Sequence, residues 1–162
     1  SKSLTVRVGG GSNQEEFIVH EGFVCGRSEF FRRALNGNWR ASEDRIVELP
    51  HRKPEIFALW LNHAYTNQIP TKDDTELRGI TKDKFDIIVQ KEYRDLCELY
   101  VLCEELVDSQ AQRAIIDAMF AVAHIRHGHH WRVPSAQNIR LIYEGTPEQS
   151  PIRKLMVDLW SD

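Results

Sequence analysis

Cysteine is scarce: Cys25, Cys97 and Cys103 are the whole complement of a 162-residue chain. Their number is odd and all three sit inside apolar helical patterns rather than turns. That excludes a disulfide framework and points to a reducing, intracellular setting, with nucleus and cytoplasm left undivided. An excess of one charge is missing too. With 21 Lys and Arg against 24 Asp and Glu, the net charge is −3 and the pI about 6.2. The basic residues are scattered among acids, so no polyanion-binding face is built and nucleic acid is not an expected partner. No apolar run approaches the ~20 residues that cross a bilayer, and no charged-then-apolar leader opens the chain, so a soluble protein with no membrane partner is expected.

Signatures of chemistry are equally thin. Gly9, Gly10 and Gly11 invite a phosphate-loop reading, but no Gly-Lys-Ser/Thr ending and no helix start follow them, so they are expected to turn a hairpin. Ser28 and His20 are the one nucleophile-and-base pairing to test. Ser28 lies on an apolar helical face, where its hydroxyl would bond back to the preceding turn, and no Gly-x-Ser-x-Gly elbow surrounds it. His20 is better read as a strand-end residue whose ring ties down nearby backbone. The only metal-like cluster is His124, His127, His129 and His130. His124 and His127 share a helical face, Gly128 then stops the helix, and no Cys or carboxylate falls inside the cluster. A histidine-decorated helix end accounts for it, and neither a metal nor a cofactor is expected. Cys97 and Cys103, six residues apart, turn away from each other on a helix. No catalytic residue is expected and the chain does not read as an enzyme.

What the sequence does have is pattern. Leu4, Val6 and Val8 alternate with Thr5 and Arg7, and after the glycines Phe17 and Val19 resume the alternation, which predicts an antiparallel hairpin over residues 4–20. The chain is organised around residues 17–35, where the strand gives way at His20 to a single amphipathic helix. Val24, Ser28, Phe31 and Leu35 form its apolar line with Phe23, Phe30 and Ala34 beside it, and Glu21, Arg27, Glu29 and Arg33 form the wet face. Asn36 and Gly37 stop it. A loop carrying Trp39 follows, then a short strand of Ile46, Val47 and Leu49, then a helix opened by Pro54 with Phe57, Trp60, Leu61 and Ala64 as its stripe. Residues 71–92 hold 11 charges in 22 positions and read as a charged surface insertion, with Phe85, Ile87, Ile88 and Val89 docking on the domain.

Residues 93–107 are helical with two apolar faces, one through Tyr93, Leu96, Cys97, Tyr100, Cys103 and Val107 and a second through Leu99, Leu102 and Leu106. Two such faces imply a central, covered helix. Ser109 with Gln112 resembles a capping box opening the next helix, which carries Ala111, Ala114, Ile115, Ala118, Val122 and Ile125. Ser135 caps a short helix through Tyr143. Ser150-Pro151 starts a last one with a stripe of Ile152, Leu155, Met156, Leu159 and Trp160, expected to pack back on the protein.

His20 with apolar residues at +3 and +4, a hydroxyl at +8, an aromatic at +11 and an apolar residue at +15 resembles the BTB/POZ domain family. The later strand at Val47 and the helix ending in Tyr65-Thr66-Asn67-Gln68-Ile69 keep that family's order. The resemblance implies an α+β fold, a small three-stranded sheet with a cluster of α-helices and extra C-terminal helices. It implies a BTB/POZ-like domain over residues 1–126, carrying the 71–92 insertion, and a helical extension over residues 127–162 packed on the same domain, similar to tails on fungal members. The hydrophobic content of 41% suits one compact domain. A chain of this length buries roughly 70% of its unfolded surface.

The same resemblance implies a non-catalytic protein–protein interaction module that self-associates, as a homodimer, or docks protein partners. The alternative is a substrate adaptor that joins a cullin scaffold in a cullin-RING ubiquitin ligase. Such adaptors often carry an apolar residue, any residue and Glu in the loop after the organising helix. Here that loop reads Trp39-Arg40-Ala41, so the apolar anchor is present and alanine replaces the glutamate. These three are the candidate partner-binding residues. Paired members of the family exchange a helix and strand placed ahead of the hairpin, and with the hairpin starting at Leu4 self-association is expected to use other surfaces.

Overall fold

The computed structural model describes residues 2–36 and 43–161. Alternation builds the sheet as expected. Strand β1 (Ser3–Val8) pairs antiparallel with β2 (Glu15–His20), setting Leu4 opposite Val19 and Val6 opposite Phe17. Strand β3 (Ile46–Leu49) joins the other side of β1 in parallel, with Val6 opposite Val47, giving the order β2-β1-β3. The period of two puts Leu4, Val6, Val8, Val19, Val47 and Leu49 on one buried face. The hairpin turn is a 3₁₀ turn at Gly11–Asn13. Gly9 precedes it at φ +88, where a Cβ would lie 2.8 Å from the Asn13 carbonyl oxygen.

The organising segment is two helices rather than one, α1 (Glu21–Arg27) and α2 (Glu29–Leu35). Ser28 breaks them with extended backbone, φ −130 and ψ 117. Its hydroxyl accepts from the Phe31 amide at 3.2 Å and donates to the Leu106 carbonyl at 2.6 Å. The predicted back-bond to the preceding turn is therefore corrected to an N-cap, because a serine oxygen satisfies an orphan amide better at a helix start than inside one. Helix α3 (Pro54–Thr66) follows, opened by its proline and closed by Asn67 at φ +58. Its Phe57 and Trp60 meet Phe31 and Phe17, with Phe31 stacked on Trp60 at 5.8 Å and Phe17 edge-on to Phe57 at 5.0 Å.

Helix α4 (Lys82–Leu106) is longer than the periodicity predicts. Its first turns lie in the charge-rich stretch, where Phe85 and Val89 are buried and Ile87 is 70% exposed. Lys, Glu and Gln are good helix formers, so a charged composition does not preclude helix. Helix α4 stops at Leu106, and Val107 takes φ +53 outside it, half exposed rather than on the covered face. Helix α5 (Ser109–Ala123) is capped not by a Ser109 box but by Asp108, whose Oδ1 accepts from the Ala111 amide at 3.0 Å. Helices α6 (Ala136–Gly145) and α7 (Pro151–Ser161) match the predicted starts, with Ser135 Oγ accepting from Asn138 at 3.3 Å.

The chain divides into two compact units, residues 1–68 with 102–111, and residues 69–101 with 112–162. The first contains the sheet, α1 to α3 and the aromatic core. The second buries Phe85, Val89, Tyr93 and Tyr100 from α4, Ile115 and Met119 from α5, and Ile142, Ile152, Leu155 and Met156 from the last two helices. Within it Tyr100 and Ser150 hydroxyls meet at 3.0 Å, and Trp160 donates to the Pro134 carbonyl at 2.8 Å although its side chain is 54% exposed. The α7 stripe thus packs inward through Ile152, Leu155 and Met156, and Val157 stays outside.

Candidate interaction surface

Polar chemistry in the first unit is buried and structural. Arg27, assigned by periodicity to the wet face, has its side chain only 12% exposed. It donates to Asn67 Oδ1 at 2.8 Å and to His63 Nδ1 at 2.9 Å, and its Nε stands 3.7 Å from Asp108 Oδ2. Trp60 Nε1 donates to the same carboxylate oxygen at 2.9 Å. A long side chain at the end of a short helix can turn back to the C-terminus of α3 and the start of α5. Burial and the neighbouring guanidinium push the His63 pKa down, while Asp108 opposes them.

None of the residues suspected of chemistry is assembled for it. Ser28 is fully buried with its hydroxyl committed to Leu106. His20 ends its strand as expected but is exposed, caps nothing, and lies 6.1 Å from the Phe23 ring. The four histidines go separate ways. His124 bonds the Phe120 carbonyl at 2.8 Å, His127 the Ile80 carbonyl at 2.7 Å and His130 the Asp86 carboxylate at 2.7 Å, while His129 is exposed. Among the described residues no group of three or more His, Cys, Asp or Glu could hold a metal ion. The cysteines are free, and burial pushes the Cys97 thiol up to about 12, far from a reactive thiolate. Trp39, Arg40 and Ala41 lie outside the described residues.

What the first unit does offer is apolar surface. Phe23 stands 48% exposed with its ring 4.7 Å from Tyr65, itself 45% exposed, and Ile18 is 70% exposed on β2. Phe23 was expected beside the apolar line, yet it stays outside. A second feature is an open groove of about 760 Å³ running along β3, between Phe30 and Ala34 of α2, Ile46 and Val47, and Val107. A family model for the BTB/POZ domain matches residues 4–101. The chain belongs to the BTB/POZ family.

That match accounts for the α+β fold and the three-stranded sheet. BTB/POZ domains are protein-interaction modules and are generally non-catalytic, which fits surfaces made of apolar side chains rather than convergent acids and bases. No helix among the described residues is long and apolar enough to cross a membrane. Sequence reading missed this BTB/POZ domain's exposed aromatics: Phe23 was set beside the apolar line, and Tyr65 entered only as part of the helix ending. The groove had no sequence signal, because it forms from residues 7–107 brought together only by folding.

Proposed function

We propose that this BTB/POZ domain is a non-catalytic module that self-associates or docks a protein partner, with the exposed pair Phe23 and Tyr65 as a contact. The family match over residues 4–101 carries this reading, and the half-exposed aromatics support it because desolvated aromatic rings dominate many interfaces. The test is light scattering behind size exclusion over a wide concentration range, with the chain alone and then with the amino-terminal domain of a BTB-binding cullin. A concentration-dependent dimer lost in Phe23→Ala/Tyr65→Ala supports self-association. A stable cullin complex weakened by Trp39→Ala supports the adaptor alternative. A strict monomer that binds no cullin removes self-association and the adaptor alternative, and leaves docking of another protein partner.

A further inference from the structure

β3 is an edge strand: among the described residues it pairs with β1 alone. The Thr5 amide bonds the Arg45 carbonyl at 3.0 Å and the Gly9 amide bonds the Leu49 carbonyl at 3.0 Å, so odd-numbered backbone groups on β3 face β1. Alternation then turns the amides and carbonyls of Ile46 and Glu48 away from the sheet. Those two residues also line the groove. Open strand hydrogen-bonding groups beside an apolar trough are what an added strand requires: the backbone supplies affinity, and pockets take alternate side chains.

The charge around the groove says which strand. Arg7 is shared between Glu16 at 2.6 Å and Glu48 at 3.5 Å, Arg33 pairs with Glu29 at 3.0 Å, and Arg52 pairs with Glu105 at 2.6 Å. Among the described residues these pairs hold three cations against four acids, a net of 3 − 4 = −1. Glu48, on the free edge, is 63% exposed. A second copy seated in the register that sets Glu48 against Glu48 would bring like charges together, and like charges on paired strands destabilise. Val107 adds a sign of use: a β-branched residue at φ +53 is a true backbone outlier, and it holds an apolar side chain, 45% exposed, at the groove wall.

We propose that the β3 edge and its groove take up an extended peptide segment of alternating apolar and basic residues, which adds to the sheet beside Ile46 and Glu48. This names a partner for the interaction role proposed above and rests on it only in being a protein contact. The probe is an array of heptapeptides alternating Lys or Arg with Val, Ile, Leu or Phe, matched by arrays carrying Glu instead. Affinity is read by fluorescence anisotropy, and hydrogen exchange is read at individual amides.

Basic arrays should bind at least tenfold more tightly than acidic ones and slow exchange at Ile46 and Glu48. Methylating the peptide nitrogens that face β3 should abolish binding. Glu48→Lys/Glu105→Lys should reverse the charge preference, and Val107→Gly, which relieves the backbone strain, should weaken binding in a well-folded protein. The proposal is overturned if no array member binds at about 1 mM, the weak end of measurable affinity. It is equally overturned by binding without protection at Ile46 and Glu48, by indifference to N-methylation, or by the same protection arising from dimerisation alone. A chain that dimerises through Phe23 and Tyr65 and whose β3 amides stay unprotected in the presence of every peptide array defeats this inference and leaves the broader function standing. Peptide protection on a strict monomer leaves this inference standing and removes self-association through Phe23 and Tyr65.

Discussion

Arg27 donates to His63 Nδ1 at 2.9 Å, so the neutral imidazole carries its proton on Nε2, and a second proton would have to enter facing the guanidinium. The His63 pKa in the folded protein therefore lies below its unfolded value of about 6.5. The unfolded chain binds more protons as pH falls, so the stability His63 contributes is present above about pH 6.5 and lost as pH falls through that value toward the folded pKa. Urea denaturation from pH 8 to 5 should show this loss, and His63→Gln should flatten it; an equal slope in the variant would place the effect elsewhere. Ser28→Ala strands the Leu106 carbonyl and the Phe31 amide together, and should cost about 1–3 kcal/mol by the same measurement. Both residues show where sequence reading stops. A serine at i+4 from Val24 fits a continuous helix as well as a break, and the deciding partner, Leu106, is 78 positions away. Arg27 obeys helical periodicity in its Cα and departs from it in its side chain, because a flexible cation can reach a buried carboxylate that no local pattern announces.

Elements were legible where local chemistry decides them. The hairpin follows from alternation, and α3, α6 and α7 follow from Pro54, Ser135 and Ser150-Pro151, whose preferences act within one turn. Their packing was not. Gly145 ends α6, and a Cβ there would sit 2.6 and 2.7 Å from the two methyls of Val101 on α4. Gly145→Ala should therefore destabilise by about 1–3 kcal/mol through overpacking. Val101→Ala in the same chain should recover part of that loss, and a chemical-denaturation double-mutant cycle reads the coupling. The approach to α6 that follows α5 is held by charge. Asp86 on α4 takes two bonds from Arg132, at 2.8 and 2.7 Å, and one from His130 at 2.7 Å. Arg132 first and His130 after it hold the Asp86 carboxyl well below the usual carboxylate range, against the opposing effect of burial. That contribution is present above the unfolded pKa near 4 and lost only as pH falls below it. Asp86→Asn should speed amide exchange over residues 127–132 at neutral pH with little change in Tm, since Arg132 is half exposed.

At the scale of the molecule, family and fold class were readable because order and spacing survive without a single tertiary contact, whereas the interaction surfaces were not. Phe23 and Phe30 look alike in a helical projection; folding leaves one beside Tyr65 and the other on the groove. Whether the aromatic surface self-associates has to be separated from the chain's electrostatics. The chain carries a net charge of −3 at pH 7, and its pI falls at about 6.2. Near that pH self-repulsion vanishes, so solubility should reach its minimum there and any association should be non-specific. At pH 8 the charge is restored, and salt screens what long-range repulsion remains over about 8–10 Å. An interface built on Phe23 and Tyr65 should persist at pH 8 and tighten or hold with added salt, because apolar burial does not depend on charge. Phe23→Asp should dissociate it without a comparable loss of stability, since that ring is already 48% exposed in the isolated chain. If sedimentation shows association only close to pH 6.2, and Phe23→Asp leaves it unchanged, the aromatic pair is ordinary surface and the docking role falls to the β3 groove.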